Sequence, residues 1–294
     1  MHARLSSSVG TYVYDPVHMS LQGNGRFSSV WVGVEEGSGQ TVIIKRYNTN
    51  RHHPFLLRQF ILEGKFRSDH PNVCGCIDLF REGDDLFMVK PYAEGSDLKT
   101  ILKKPLRKKQ RKALAIVVLK DVLDALIYLH EKGILHRDIK PSNILLSEES
   151  GTMRAIVLDL GMARFPSTQY DPSYKTPFSM IYSPPEQALN MDECVNASSD
   201  LFSLAMVLLE IFTGNHPYPA NHPSAILNMQ LGMEVQIPAV VPPDWREVLR
   251  KCLMKPDFKI PPNKIPKEDL NQLINKSLQR RFQSAKDLRN TIDL

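Results

Sequence analysis

Cysteine is scarce here: four residues in 294, at positions 74, 76, 194 and 252. Four scattered thiols cannot form the dense disulfide framework that props up small secreted domains. The single close pair, Cys74-Gly75-Cys76, has no second pair at zinc spacing, which argues against a structural metal site. A reducing, cytoplasmic compartment is therefore expected. No segment reaches the ~18 uninterrupted apolar residues of a membrane span. The most apolar stretch, Ala113 to Leu129, is broken by Lys120, Asp121 and Asp124 at helical spacing, which marks a wetted face. Residues 1–10 carry no apolar run of the kind a secretory signal needs, so the chain is expected to be soluble, with no membrane span. Long polar tracts, Gly/Ser runs and internal repeats are also missing, which excludes a linker-like or solenoid architecture. What remains is a globular composition, 42% hydrophobic and 23% charged, whose net charge of +5 is too mild to select a partner.

The pattern of apolar residues changes along the chain. Val9–Tyr14, Phe27–Val34, Val42–Tyr47 and Leu86–Tyr92 are rich in β-branched and aromatic residues between turn signals, and read as strands. One helical stretch, about Pro54–Arg67, interrupts them. After Gly95 the period becomes 3.6, and Ala113–Glu131, Asp200–Phe212, Pro223–Gly232 and Trp245–Met254 read as helices. A small β-rich part, residues 1–92, is thus followed by a larger helical part, residues 93–294. Tyr92–Gly95 falls at the join.

The sharpest chemical signal is His136-Arg137-Asp138-Ile139-Lys140-Pro141-Ser142-Asn143-Ile144-Leu145-Leu146. Phosphoryl transfer to an alcohol needs a carboxylate on a held loop, a cation near the moving phosphate, and an amide or carboxylate oxygen for a metal. Asp138, Lys140 and Asn143 supply these in order. Twenty-one positions after Asp138, Asp159-Leu160-Gly161 closes a strand. Alone it is a turn signal; at that spacing it offers a second metal-binding oxygen. Upstream, Gly23-Asn24-Gly25-Arg26-Phe27-Ser28-Ser29-Val30 is a glycine-bearing loop able to bring free backbone N–H groups to phosphates. Val42-Ile43-Ile44-Lys45 follows it.

Together these segments resemble the eukaryotic-type Ser/Thr protein kinases, including their bacterial relatives, over nearly the whole chain from about Tyr12. The resemblance implies an α+β, bilobal protein-kinase-like fold that uses ATP and Mg²⁺ to phosphorylate hydroxyls of a protein substrate in intracellular signalling. It implies Asp138 as catalytic base and Lys140 as its cationic partner, with Asn143 and Asp159 as metal ligands. Gly23, Gly25 and Val30 would cover the nucleotide, and Lys45 would clamp its phosphates. Glu63, the one acidic residue of the small helix, would pair with Lys45. Adenine would meet the Pro91 carbonyl and the Ala93 backbone, and Asp97 the ribose. Tyr182-Ser183-Pro184-Pro185-Glu186-Gln187 is similar to the Ala-Pro-Glu motif, and Arg281 to the arginine that pairs with its glutamate. Asp200 would cap the catalytic-loop backbone, and Ser179 would touch Asp138 and Lys140.

The chain departs from the family in three places. Glu63 lies about two residues closer to His70-Pro71-Asn72 than usual. Lys90 occupies the gatekeeper position, ordinarily apolar; it is expected near Glu63 or Asp159, competing with Lys45, unless a shift of register turns it outward. The stretch Lys255–Leu278, rich in Pro and Lys, is extra and reads as a surface insertion. The basic run Lys103–Lys112 lacks the interleaved aromatics of base stacking, so it reads as a solvated face and no nucleic-acid partner is expected. Arg137, immediately before Asp138, implies control by phosphate on residues 161–185, at Thr168, Ser173 or Thr176, with Arg164 and Lys175 assisting. Two other readings compete. A pseudokinase would bind without chemistry, but Lys45, Asp138, Asn143 and Asp159 are all present. A small-molecule kinase would lack the Glu186 and Arg281 pair.

Overall fold

A computed structural model describes residues 2–17, 29–48, 54–167, 181–218 and 222–292. The chain divides into two compact units, 1–94 and 95–294.

Among its described residues, the first unit is a six-stranded antiparallel sheet with one helix. Its strands are β1 (Ala3–Ser6), β2 (Thr11–Tyr14), β3 (Ser29–Glu35), β4 (Thr41–Asn48), β5 (Asp78–Glu82) and β6 (Asp85–Pro91), in the spatial order β1-β2-β3-β4-β6-β5. Alternation along the strands sends Tyr12, Tyr14, Trp31, Val42, Ile44, Phe87 and Val89 into one core with Leu5. Strand β1 is an addition to the sequence reading: four residues give too short an alternation to register. Helix α1 (Pro54–Lys65) buries Leu56, Gln59, Phe60, Glu63 and Gly64, a spacing of three and four that defines one helical face. Glu63 is therefore carried inward by the same period that buries Phe60.

The second unit begins at Gly95, which a φ of +157° and a Leu146 carbonyl 2.2 Å from any added Cβ reserve for glycine. A three-stranded sheet of β7 (Ser96–Asp97), β8 (Ile144–Glu149) and β9 (Thr152–Val157) is accompanied by helices α2 (Leu98–Leu102), α3 (Lys108–Glu131), α4 (Pro185–Ala188), α5 (Ala197–Thr213), α6 (Pro223–Gly232), α7 (Pro243–Cys252), α8 (Lys267–Arg280) and α9 (Ala285–Thr291). Helix α5 is buried almost all round, as a central core helix must be. Asn196 caps its start by accepting the Ser198 N–H at 2.9 Å, and Gly214 ends it in the left-handed conformation, φ +76°. Helix α3 starts five residues before the apolar periodicity does, because the Gln110 side chain accepts the Arg107 N–H at 2.9 Å and seeds the first turn among exposed lysines. The described residues thus form the expected α+β arrangement, a β-sheet N-terminal region followed by a mostly helical C-terminal region.

The stretch 255–278 is only partly a surface insertion. Its first half is largely exposed, but α8 packs Ile274 and Leu278 against Met191 and Cys194. At its start, the Lys255 ammonium donates to the Gln230 carbonyl at 2.7 Å and to the Tyr218 hydroxyl at 2.8 Å. Burial, then the nearby Arg281 charge, pushes its pKa down to about 7. The unfolded chain keeps that proton to about pH 10.4. Between these values the unfolded state binds the extra proton, so stability rises with pH. Melting temperature measured from pH 7 to 9 at constant ionic strength should climb in the wild type and lose this component in Lys255→Met. Identical slopes would refute it.

Candidate active site

The second unit holds a buried polar cluster. A loop between Leu135 and Pro141 runs buried through His136, Arg137 and Asp138, and its backbone donors need partners there. Asp200, near the start of α5, supplies them: its carboxylate accepts the His136 N–H at 2.9 Å and the Arg137 N–H at 2.7 Å, and meets His130 Nε2 at 2.9 Å. Burial alone would raise the Asp200 pKa, but the His130 hydrogen bond and charge, His136 and the Arg137 N–H bring it below the ordinary carboxylate value. The loop is thus capped by a fixed anion. Arg137 takes φ +66°, a conformation that costs of order 1–3 kcal/mol unless its surroundings impose it. They do: its N–H is held by Asp200 and its carbonyl by Gln187 Nε2 at 2.6 Å. Burial lowers the His136 pKa, in keeping with Nδ1 accepting the Asp138 N–H at 3.2 Å.

This turn presents the Asp138 carboxylate. Lys140 Nζ donates to its Oδ2 at 2.6 Å, and Asn143 Nδ2 donates to the same oxygen and to the Asp138 carbonyl, each at 2.9 Å. With the Asn143 amide nitrogen so engaged, its amide oxygen is directed elsewhere. Asn143 stands at the open end of the β8–β9 hairpin, where the Leu158 N–H donates to its carbonyl at 3.0 Å, and Asp159 follows directly. Asp159 Oδ1 accepts the Gly161 N–H at 3.0 Å, and Leu160 is buried. An amide oxygen and a carboxylate at one hairpin mouth suit a hard cation that keeps waters and phosphate oxygens as its remaining ligands. Mg²⁺ fits this donor set. Among the described residues no cluster of three or more His, Cys, Asp or Glu forms a metal-holding group.

The first unit brings Lys45 and Glu63 together, Nζ to Oε2, at 3.3 Å. Val30 is the cross-strand partner of Lys45, so the two share one face of the sheet. Lys90 joins them from β6, its ammonium 2.5 Å from Glu63 Oε1. The pairing expected for Glu63 is therefore present despite its unusual spacing, and the expected neighbourhood of Lys90 is also met. Pro91 ends β6 opposite Val42. It gives up no ladder donor there, because proline has none, and Ala93 follows two residues on. Asp97 caps α2, accepting the Thr100 N–H and hydroxyl at 2.9 Å each; any ribose contact must share those oxygens. Gly23, Gly25, Ser179, Lys175 and the acceptors Thr168, Ser173 and Thr176 lie outside the described residues.

Arg137 has a carboxylate neighbour that the sequence did not suggest. The Arg137 guanidinium, assigned to a future phosphate, is hydrogen-bonded to the Asp192 carboxylate. Arg164 is likewise committed to the carbonyls of Asp192 and Val195, at 3.0 Å each. A phosphate meeting Arg137 would share the guanidinium with that carboxylate, since Asp192 engages Nη2 alone. Asp192 lies 55 residues from Arg137, and no local signal marks it. The Glu186 and Arg281 pair is present, and Ser199, which also donates to Glu186 at 2.8 Å, is a further member.

A sheet unit in which Lys45 meets Glu63 and a helical unit with a capped Asp-x-Lys-x-x-Asn loop are the arrangement that the sequence resemblance implies. A sequence model described as the protein kinase domain matches residues 17–289, and the chain belongs to that family. Serine/threonine-protein kinase PkaB of Streptomyces coelicolor is 31% identical over 245 residues, covering 80% of this chain and 57% of that protein. PkaA of the same organism is 29% identical over 204 residues, 68% of this chain and 36% of PkaA. ATG1a of Arabidopsis thaliana is 28% identical over 256 residues, 84% of this chain and 39% of ATG1a. The chain thus spans little more than half of the first of these relatives and less of the other two.

Proposed function

We propose that this domain transfers the γ-phosphate of ATP to serine or threonine hydroxyls of a protein substrate, in a signalling role. The observation that carries the reading is the Asp138 carboxylate gripped by Lys140 and Asn143 on a loop anchored by Asp200. Asp138 accepts or orients the proton of the attacking hydroxyl. Lys140, 2.6 Å from that carboxylate, offsets the charge of the moving phosphoryl group. Lys45 holds the nucleotide phosphates, with Glu63 as its positioning carboxylate. Asn143 and Asp159 would hold Mg²⁺, which when bound neutralises charge on the phosphates. The Pro91 carbonyl and the Ala93 backbone serve adenine. Catalysis of this kind is chiefly positioning and charge stabilisation by preorganised groups. Among the described residues, no helix is long and apolar enough to cross a membrane.

The test is transfer from γ-labelled Mg·ATP to protein and peptide acceptors, read by phosphoamino-acid analysis. Phosphoserine or phosphothreonine is expected. Binding of ATP without transfer to any acceptor would indicate a pseudokinase, and label only on small alcohols would indicate a metabolite kinase; either overturns the reading.

A further inference from the structure

Strand β6 lies next to the edge of the first unit's sheet, paired with β4 on one side and the edge strand β5 on the other. Phe87, Met88 and Val89 are buried, and Lys90 after them is only 7% exposed. A buried ammonium is costly unless it is paired and hydrogen-bonded. Its partner is Glu63, 1% exposed, whose Oε1 lies 2.5 Å from Lys90 Nζ. The register explains the meeting. Lys90 stands opposite Ile43 and Lys45 opposite Met88, so the two lysines are diagonal neighbours on one face of the sheet, where long side chains reach each other's space.

The two lysines do not contend for one oxygen. Lys45 takes Oε2 at 3.3 Å while Lys90 takes Oε1 at 2.5 Å. Both lysines thus reach the one carboxylate, which bridges them. We infer that Lys90 is a positioning residue that docks Glu63, and with it α1, onto the sheet independently of Lys45. Both strands are held by ladders on two sides, so β6 offers the helix an anchor separate from β4. The consequence for the proposed reaction is that Lys45 can turn its ammonium to the nucleotide phosphates without releasing α1. Glu63 thereby stays placed before ATP arrives. An apolar residue at position 90 leaves Lys45 holding the helix and the phosphates at once.

The inference rests on the kinase reading only for its activity arm. Amide hydrogen exchange of α1 (Pro54–Lys65) in the nucleotide-free chain tests it directly. Lys45→Met should leave α1 protection within roughly threefold of wild type, whereas Lys90→Met should lower it roughly 10–100-fold. Protection of β3, β4 and β6 should not change. Lys90→Arg, which keeps the charge, should restore α1. In kinetics, Lys90→Met should raise KM for ATP about tenfold with a smaller effect on kcat, the pattern of lost binding and not of lost chemistry. Should Lys90→Met fail to fold, Glu63→Gln serves in its place and must loosen α1 although both lysines remain. The inference is overturned if Lys45→Met loosens α1 as much as Lys90→Met does. It is overturned equally if Lys90→Met or Glu63→Gln leaves α1 as protected as in wild type. A wild-type chain without transferase activity defeats the kinase reading and leaves the exchange result standing.

Discussion

Asp138→Asn should reduce phosphate transfer by about 10²–10⁴, the usual contribution of a positioned base, while ATP affinity stays within roughly twofold. The substitution is nearly isosteric. The asparagine amide oxygen can take the place of Oδ2, which accepts from both Lys140 and Asn143, and Asp200 still caps the loop. What disappears is the negative charge and the basicity, so kcat should fall and the nucleotide site should survive. Asp159→Ala makes the contrast. It removes the proposed metal-binding oxygen from the mouth of the β8–β9 hairpin, so it should weaken binding of Mg·ATP more than of free nucleotide. Steady-state kinetics and titration calorimetry separate the two. Equal turnover in wild type and Asp138→Asn would remove Asp138 from the proposed mechanism.

The catalytic loop was legible because Asp138, Lys140 and Asn143 sit within six residues, and a local turn suffices to bring them together. Glu63 was legible for another reason. It is the sole acid on α1 and falls on the face that Leu56 and Phe60 bury, so helical period alone points it inward. Lys90 was visible as a chemical anomaly in an apolar strand. Its share of Glu63 was not, because which oxygen it meets depends on the diagonal register of β4 with β6. Contacts between distant segments were the hardest to read. Asp192 reaches Arg137 across 55 residues, and neither residue's neighbours announce the pair. The same holds for α8. Its Lys- and Pro-rich surroundings suggested an excursion on the surface, and only Ile274 and Leu278, four apart, hinted at a buried face. Strand β1 adds an edge to the sheet from just four residues, paired register by register with β2.

Arg281→Ala should cost about 3–5 kcal/mol of stability, the usual penalty for removing one partner of a buried ion pair. The pair is bidentate: Nη1 donates to Glu186 Oε1 at 2.7 Å and Nη2 to Oε2 at 3.2 Å. Both side chains are 0% exposed, so neither water nor a mobile neighbour can replace the lost donor. The guanidinium also donates through Nε to the Met254 carbonyl at 2.8 Å and lies 4.9 Å from the centre of the Phe202 ring. One side chain therefore ties α4 to the segment just after α7 and to the core helix α5. After truncation Glu186 is left with the Ser199 hydroxyl, 2.8 Å away, which cannot balance a buried charge. For chains of this size, 1 kcal/mol corresponds to roughly 2–4 °C in Tm, so calorimetry should record a fall on the order of 10 °C. The pair itself need not be net stabilising, because two desolvated charges can be replaced by apolar residues of similar volume at little cost. Glu186→Leu combined with Arg281→Met should accordingly melt above Arg281→Ala, an interaction of opposite sign to simple addition. A double variant that melts well below the single one would show that the damage comes from lost packing around Phe202 and Met254, with the unpaired Glu186 carboxylate a minor part of it.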